Sequence, residues 1–178
     1  MASRYASLPV FTLGAMTDLV FRSLEPSDPS ARDLLRRYLS EVAERYYRRP
    51  VSEGELDNLE IEESSDDLRG HTGFLLVASR DGEAVGCGGV RIVDSVTGEL
   101  TRIFSIPEAR GTGVGRACVL ELEERARARG IQTLRLDTRS DLVEARALYS
   151  ALGYSEVEAF NDDPYAQHWF SKDLLPRH

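Results

Sequence analysis

The segment Ile106-Pro-Glu-Ala-Arg-Gly-Thr-Gly-Val-Gly-Arg116 packs three glycines into five positions between an apolar run and an amphipathic one. The run before it, Glu99-Leu-Thr-Arg-Ile-Phe-Ser-Ile106, reads as a strand, and residues 113–129 read as a helix. Where such a loop opens a helix, the first backbone N–H groups have no partner within the helix, and glycine lets an anion approach them closely. The positive end of the helix dipole and the flanking Arg110 and Arg116 add to the attraction. The segment therefore reads as a pyrophosphate cradle. A Walker loop is excluded because no glycine here precedes a lysine, and the dinucleotide fingerprint fails because Arg116 stands where its third glycine belongs.

The elements around this loop alternate in a definite order. Met16-Thr-Asp-Leu-Val-Phe-Arg-Ser-Leu24 alternates as a half-buried strand does, and residues 1–15 read as an extension ahead of a single domain over 16–178. Ser27-Asp-Pro29 offers helix-start chemistry, followed by Leu34, Leu35, Tyr38, Leu39, Val42 and Tyr46 at helical spacing. Residues 52–68 carry eight acids and no base, which reads as a weak helix or a loop with a solvated face. Phe74-Leu-Leu-Val-Ala-Ser79 and residues 84–93 form a hairpin about Asp81-Gly82, and Val96-Thr-Gly98 turns the chain into the strand that ends at Ile106. After the helix come a strand (131–138), a short helix (141–151) and two strands (154–160 and 167–172). The expected class is α+β, with an antiparallel meander first and a parallel pair in the middle.

Composition narrows the function. A length of 178 residues, 42% of them hydrophobic, suffices for one core. A net charge of −8 opposes a nucleic-acid partner, which requires a basic face, and favours a cationic small one. No apolar run is long enough to span a bilayer, so no membrane partner is expected and the chain reads as cytoplasmic. Cys87 and Cys118 are too few for a disulfide framework, and the three scattered histidines do not suggest a metal site.

The loop resembles the cofactor motif of the GNAT acetyltransferase superfamily, Arg/Gln-x-x-Gly-x-Gly/Ala, met here by Arg110, Gly113 and Gly115. Leu134-Arg-Leu-Asp-Thr138 is similar to the strand after the motif helix, and Ala145-Arg-Ala-Leu-Tyr-Ser-Ala-Leu-Gly-Tyr154 to the A-x-x-L-Y-x-x-x-G-F/Y segment. The resemblance covers roughly residues 16–174 and implies one mixed, mostly antiparallel sheet. In it a central parallel pair splays around the CoA arm, flanked by about four helices. It also implies acetyl-CoA as cosubstrate, no metal, a small amine as acceptor, and room for a homodimer. Backbone amides of Gly111, Thr112, Gly113, Val114, Gly115 and Arg116 would hold the pyrophosphate, Arg110 would close the loop, and Phe104, Ser105 and Ile106 would flank the pantetheine arm.

Tyr149 falls where the family commonly carries a tyrosine that protonates or hydrogen-bonds the departing CoA sulfur. Seven residues earlier many members have Asn, and here Leu142 stands in its place. Amine acetylation also needs a group that removes a proton from the acceptor nitrogen, and Glu99, at the start of its strand, resembles the family's base. Asp162, Tyr165 and His168 precede or open the last strand, where the superfamily builds part of its acceptor pocket, and are read as its lining. Two alternatives stay open: a silent acyl-CoA-binding regulatory module, and a protein or peptide N-acetyltransferase.

Overall fold

The computed structural model describes residues 18–174. The expected extension, residues 1–15, and the first two residues of the strand expected from Met16 lie outside them, as do residues 175–178. Seven strands form one sheet: β1 (Leu19–Ser23), β2 (Gly73–Arg80), β3 (Glu83–Ile92), β4 (Thr97–Ser105), β5 (Thr133–Thr138), β6 (Ser155–Val157) and β7 (His168–Asp173). Their spatial order is β1-β2-β3-β4-β5-β7-β6, antiparallel throughout except for the β4–β5 pair. Four helices cover it: α1 (Pro29–Tyr47), α2 (Glu53–Glu62), α3 (Val114–Ala128) and α4 (Val143–Ala151).

Local chemistry explains the elements. Asp28 caps α1 by accepting from Ser30 N at 3.0 Å, and Pro29 supplies a pre-set first turn. The β2–β3 hairpin turns on Asp81 (φ 52°) and Gly82 (φ 83°), the paired left-handed residues that a tight two-residue turn requires. The acidic stretch is a true helix. Ser52 and Glu55 close a capping box at its start, and the bases missing from its own sequence come from α1 and the residues just after it. Arg36 reaches Glu53 (2.6 Å), Asp57 (2.8 Å) and Glu60, while Arg49 reaches Glu55 (2.6 Å).

The sheet has two packed faces. On one, α3 and α4 bury Phe74, Leu76, Val90, Leu100, Leu134, Leu136 and Phe170. On the other, Ala31, Leu34 and Leu35 of α1 cover Leu75, Val77, Cys87 and Phe104. Because α1 packs over β2 to β4, the same face of β4 and β5 farther along is left for a cavity.

Two irregularities shape that region. β4 and β5 pair only from Thr97↔Thr133 to Glu99↔Arg135, so the parallel pair parts beyond Glu99. At the same level the β3–β4 register slips between Cys87 and Gly89, and Arg102 takes a left-handed φ of 57°. The bulge resets the alternation of β4. Leu100 packs with α3 and Phe104 with α1, and between them Ile103 leans over Gly88, whose missing Cβ would stand 2.7 Å from Ile103 Cδ1. Buried Arg102 donates to Glu63 O (2.7 Å) and Ser65 Oγ (3.1 Å), tying the bulge to the end of α2.

Candidate active site

The glycine loop is anchored from beneath. After β4 a 3-10 turn, Pro107–Ala109, leads to Arg110, and Thr112 Oγ1 donates to Ala109 O at 2.6 Å while accepting from Arg80 at 3.2 Å. With its side chain held below, Thr112 lets Gly111 (φ 73°) and Gly113 (φ 87°) carry the chain through left-handed backbone into α3. No side chain caps α3, so its first N–H groups remain available to a ligand.

The glycines also leave room. A Cβ at Gly111 would meet nothing within 4 Å, and one at Gly115, in helical backbone, would meet only Leu148 Cδ2 and Ser105 Oγ at 3.6 Å. The packing of the chain does not demand glycine at 115. The space it keeps clear lies in front of unpaired amides, as an anion cradle requires. Arg110 turns back to donate to Ser105 O (3.2 and 3.3 Å) and to Glu41 of α1, while Arg116 is exposed on the first turn of α3.

From the loop a groove runs between β4 and α4, lined by Phe104, Ser105, Gly115, Leu148 and Tyr149, with Tyr38, Glu41, Val42 and Arg45 of α1 on its far side. Ile106 is not in its wall and packs between two core clusters instead. On the other side of Tyr149 lies a cavity of about 300 Å³ between α1, α2, β4, β5 and the 161–165 loop. Groove and cavity share Tyr38, Val42, Ile103, Leu142, Ala145 and Tyr149. A group sliding along the groove would meet a molecule in the cavity at these residues.

Tyr149 is buried, with its ring edge-on to Tyr154 (centroids 5.8 Å apart) and tilted against Phe170 (6.3 Å). Its hydroxyl bonds to no other described residue, and burial raises the phenol well above its ordinary range, so it stays protonated. Leu142 occupies the N-cap of α4 without a side-chain cap, putting an apolar wall where an Asn would offer an amide.

The cavity's charges are largely sorted into pairs. Glu99 reaches it, but Arg135 Nε donates to Glu99 Oε2 at 3.2 Å. Arg91 is bound to Asp67 (2.6 Å) and Thr101 (3.1 Å), and Arg139 to both oxygens of Asp141 (2.8 and 2.7 Å) and to Val42 O (3.0 Å). Asp137, two residues past the last β4–β5 rung, has no such partner among the described residues and accepts from Asn161 Nδ2 at 2.7 Å. Burial raises its carboxyl above the ordinary range, against the pull of the Asn161 bond and of Arg91 and Arg135. Asp137 went unmarked in the sequence. The signal was there in Leu134-Arg-Leu-Asp-Thr138, whose period of two sets Arg135 and Asp137 opposite the core leucines.

Of the expected acceptor residues, Tyr165 reaches the mouth, edge-on to Tyr46 at 5.2 Å, beside Asn161 and Asp163. Asp162 is exposed and lines neither hollow. His168 also lies outside the lining. It opens β7 and bonds Glu156 (2.6 Å) and Ser140 (2.9 Å), because strand alternation gives the Asp137 side to Trp169. Among the described residues no cluster of three or more His, Cys, Asp or Glu side chains could hold a metal, and no helix is long and apolar enough to cross a membrane.

Comparison with known proteins agrees with this geometry. Residues 32–154, more than half of the chain, match the acetyltransferase (GNAT) family. The chain is 38% identical over 92 residues to the IAA acetyltransferase of Azospirillum brasilense, covering 51% of this chain but only 59% of that protein. It is 32% identical over 107 residues to the aminoglycoside N(6')-acetyltransferase type 1 of Stenotrophomonas maltophilia, covering 55% of this chain and 70% of that one. The fold superposes on the PaiA N-acetyltransferase of Thermoplasma acidophilum, solved in complex with coenzyme A, with a TM-score of 0.68 at 20% identity over 87% of this chain and 98% of that one. The chain belongs to the acetyltransferase (GNAT) family.

Proposed function

We propose that the chain is an acetyl-CoA-dependent N-acetyltransferase that acetylates a primary amine of a small molecule. The observation that carries this reading is the meeting of two hollows at Tyr149: a groove that begins at unpaired helix amides, and a cavity lined by acids and tyrosines. The cosubstrate supplies an acetyl group activated as a thioester. In this reading the amides of residues 111–116 hold its pyrophosphate, and Phe104 and Ser105 flank its arm. The Tyr149 hydroxyl, kept protonated by burial and without a hydrogen-bond partner among the described residues, would give a proton to the leaving sulfur. Glu99, fixed by Arg135, sets the charge of the cavity floor, and Tyr165 borders its entrance.

A cavity of about 300 Å³ suits a small acceptor or the end of a longer one. Both cysteines are free and buried, which suits the reducing cytoplasm. The test is release of free CoA thiol from acetyl-CoA during incubation with putrescine, tyramine, lysine and an aminoglycoside, with the acetylated product identified by mass. Thiol release with at least one amine is expected. CoA binding with no release for any amine would leave a silent binding module instead.

A further inference from the structure

We propose that Asp137, held by Asn161, receives the acceptor as its ammonium ion and takes the proton that must leave before the nitrogen attacks. The proposal rests on the acetyltransferase reading above.

Position is the first argument. Asp137 follows the last paired rung of β4 and β5, so it lines the cavity where the two strands have parted. Glu99 lies on that last rung, in a cross-strand row with Arg91 and Arg135, and its carboxylate is already engaged by Arg135. A carboxylate held by an arginine binds an incoming ammonium less well than one whose only contact is a neutral amide.

Hydrogen-bond logic identifies the reacting oxygen. The indole N–H of Trp169 can only donate, and it donates to Asn161 Oδ1 at 2.8 Å. That contact fixes the amide's orientation, so Asn161 must present its NH₂ to Asp137 Oδ2, which accepts at 2.7 Å. Oδ2 is thereby committed as an acceptor, and Oδ1 is the oxygen left to gain a proton. In the step itself an N–H bond of the ammonium breaks and an O–H bond forms at Oδ1. The electron pair stays on nitrogen for attack on the acetyl carbon, and Asp137 later releases the proton to water.

The surrounding charge fits a cation. Asp163, from the 161–165 loop, adds negative charge, while Arg91 and Arg135 add positive charge but are bound to Asp67 and Glu99. Arg102 and Arg139 are bound to Glu63 O and Asp141, and Glu62 and Glu63 stand at the α2 side of the mouth. Tyr46 and Tyr165 are about half exposed there and offer ring faces and edges along the entry path. The acceptor class is thus a small primary ammonium, not a carboxylate-led or neutral molecule.

The test uses whichever of putrescine, tyramine and lysine is turned over fastest. Asp137→Asn should lower kcat by about 100-fold or more with CoA affinity by calorimetry unchanged, while Glu99→Gln changes kcat less than about tenfold. The acid limb of kcat should vanish in Asp137→Asn. Asn161→Leu, which removes a donor that favours the charged carboxylate, should move that limb to higher pH, a shift that a purely structural role would not produce. Independently of turnover, carbon-13 NMR of aspartate carboxyls in the free protein should show one titration above the ordinary range that is missing from Asp137→Asn. A kcat for Asp137→Asn within threefold of wild type, a larger loss in Glu99→Gln, or no such aspartate titration would overturn the assignment.

Discussion

The Tyr149 ring stands edge-on to that of Tyr154, with centroids 5.8 Å apart, and this contact braces the side chain that lines both hollows. Tyr149→Phe keeps the ring and its packing and removes only the oxygen. Turnover should fall by about 100-fold or more, the usual size of a lost proton donor, while CoA affinity stays unchanged. Because burial raises this phenol, it remains the acid form at any pH where the protein is assayed, so Tyr149 should contribute no loss of rate on the alkaline side below about pH 10. Steady-state kinetics against pH, with calorimetry for CoA, checks both statements.

Tyr154 leads to a buried charge. Its hydroxyl donates to Glu123 at 3.2 Å, and the single lysine, Lys172, places its ammonium 2.7 and 2.9 Å from the two Glu123 oxygens. Glu123 is only 2% exposed. Lys172→Met should therefore cost about 1–3 kcal/mol, because the buried carboxylate loses its two shortest contacts and keeps only Tyr154 and the longer one to Arg127 (3.4 Å). Adding Glu123→Gln should recover part of that loss. Urea unfolding of the single and double variants measures the coupling directly.

The acid dependence of stability should show at α2. Arg49 and Ser52 hold Glu55 down to about 2. A depressed folded value means the contribution is complete above the unfolded carboxylate range, about pH 4.3, and disappears as pH falls toward 2. Glu55→Gln should flatten the fall in the urea midpoint over that window. Ser52→Ala should cost about 1 kcal/mol at neutral pH, the usual worth of an N-cap.

Arg110 enters the groove already paired with Glu41. That carboxylate competes with any phosphate for the guanidinium. Glu41→Gln should tighten CoA binding on the order of twofold to fivefold at low salt, the scale of a partly exposed ion pair, and the gain should shrink as salt rises. Weaker binding in this variant would mean that Glu41 positions Arg110 for the ligand.

What the sequence made legible was local. The glycine loop, the Asp81-Gly82 hairpin and the helical stripe of α1 each carry their cause within a few residues, and each formed where its pattern placed it. Contacts across the chain were not legible. The acids of residues 52–68 read as solvated, and Glu53, Asp57, Glu62, Glu63 and Asp66 are exposed, but nothing local shows that Arg36 of another helix pairs with Glu53, Asp57 and Glu60, or that of this group only Glu62 and Glu63 border the cavity. Any gathering of cationic amines falls to those two, not to the whole stretch. His168 shows the same limit, since a period of two says which residues share a face but not which face meets the cavity. The Arg102 bulge, which reorders β4 inside the site, does mark the sequence, where polar Thr101-Arg102 and apolar Ile103-Phe104 break the period of two, but the break alone does not say which face each side chain takes.

The assignment of residues 110–116 to the pyrophosphate underlies every chemical step above, and Gly115 tests it most directly. A side chain there has room within the protein, with its Cβ 3.6 Å from Leu148 and Ser105, but it would stand in front of the α3 amides. Calorimetric titration of CoA into wild type and Gly115→Val, with folding confirmed by circular dichroism, should show binding weakened at least about tenfold, or ~1.4 kcal/mol, in the variant. Equal affinity in the two proteins would contradict the placement of the cofactor on this loop.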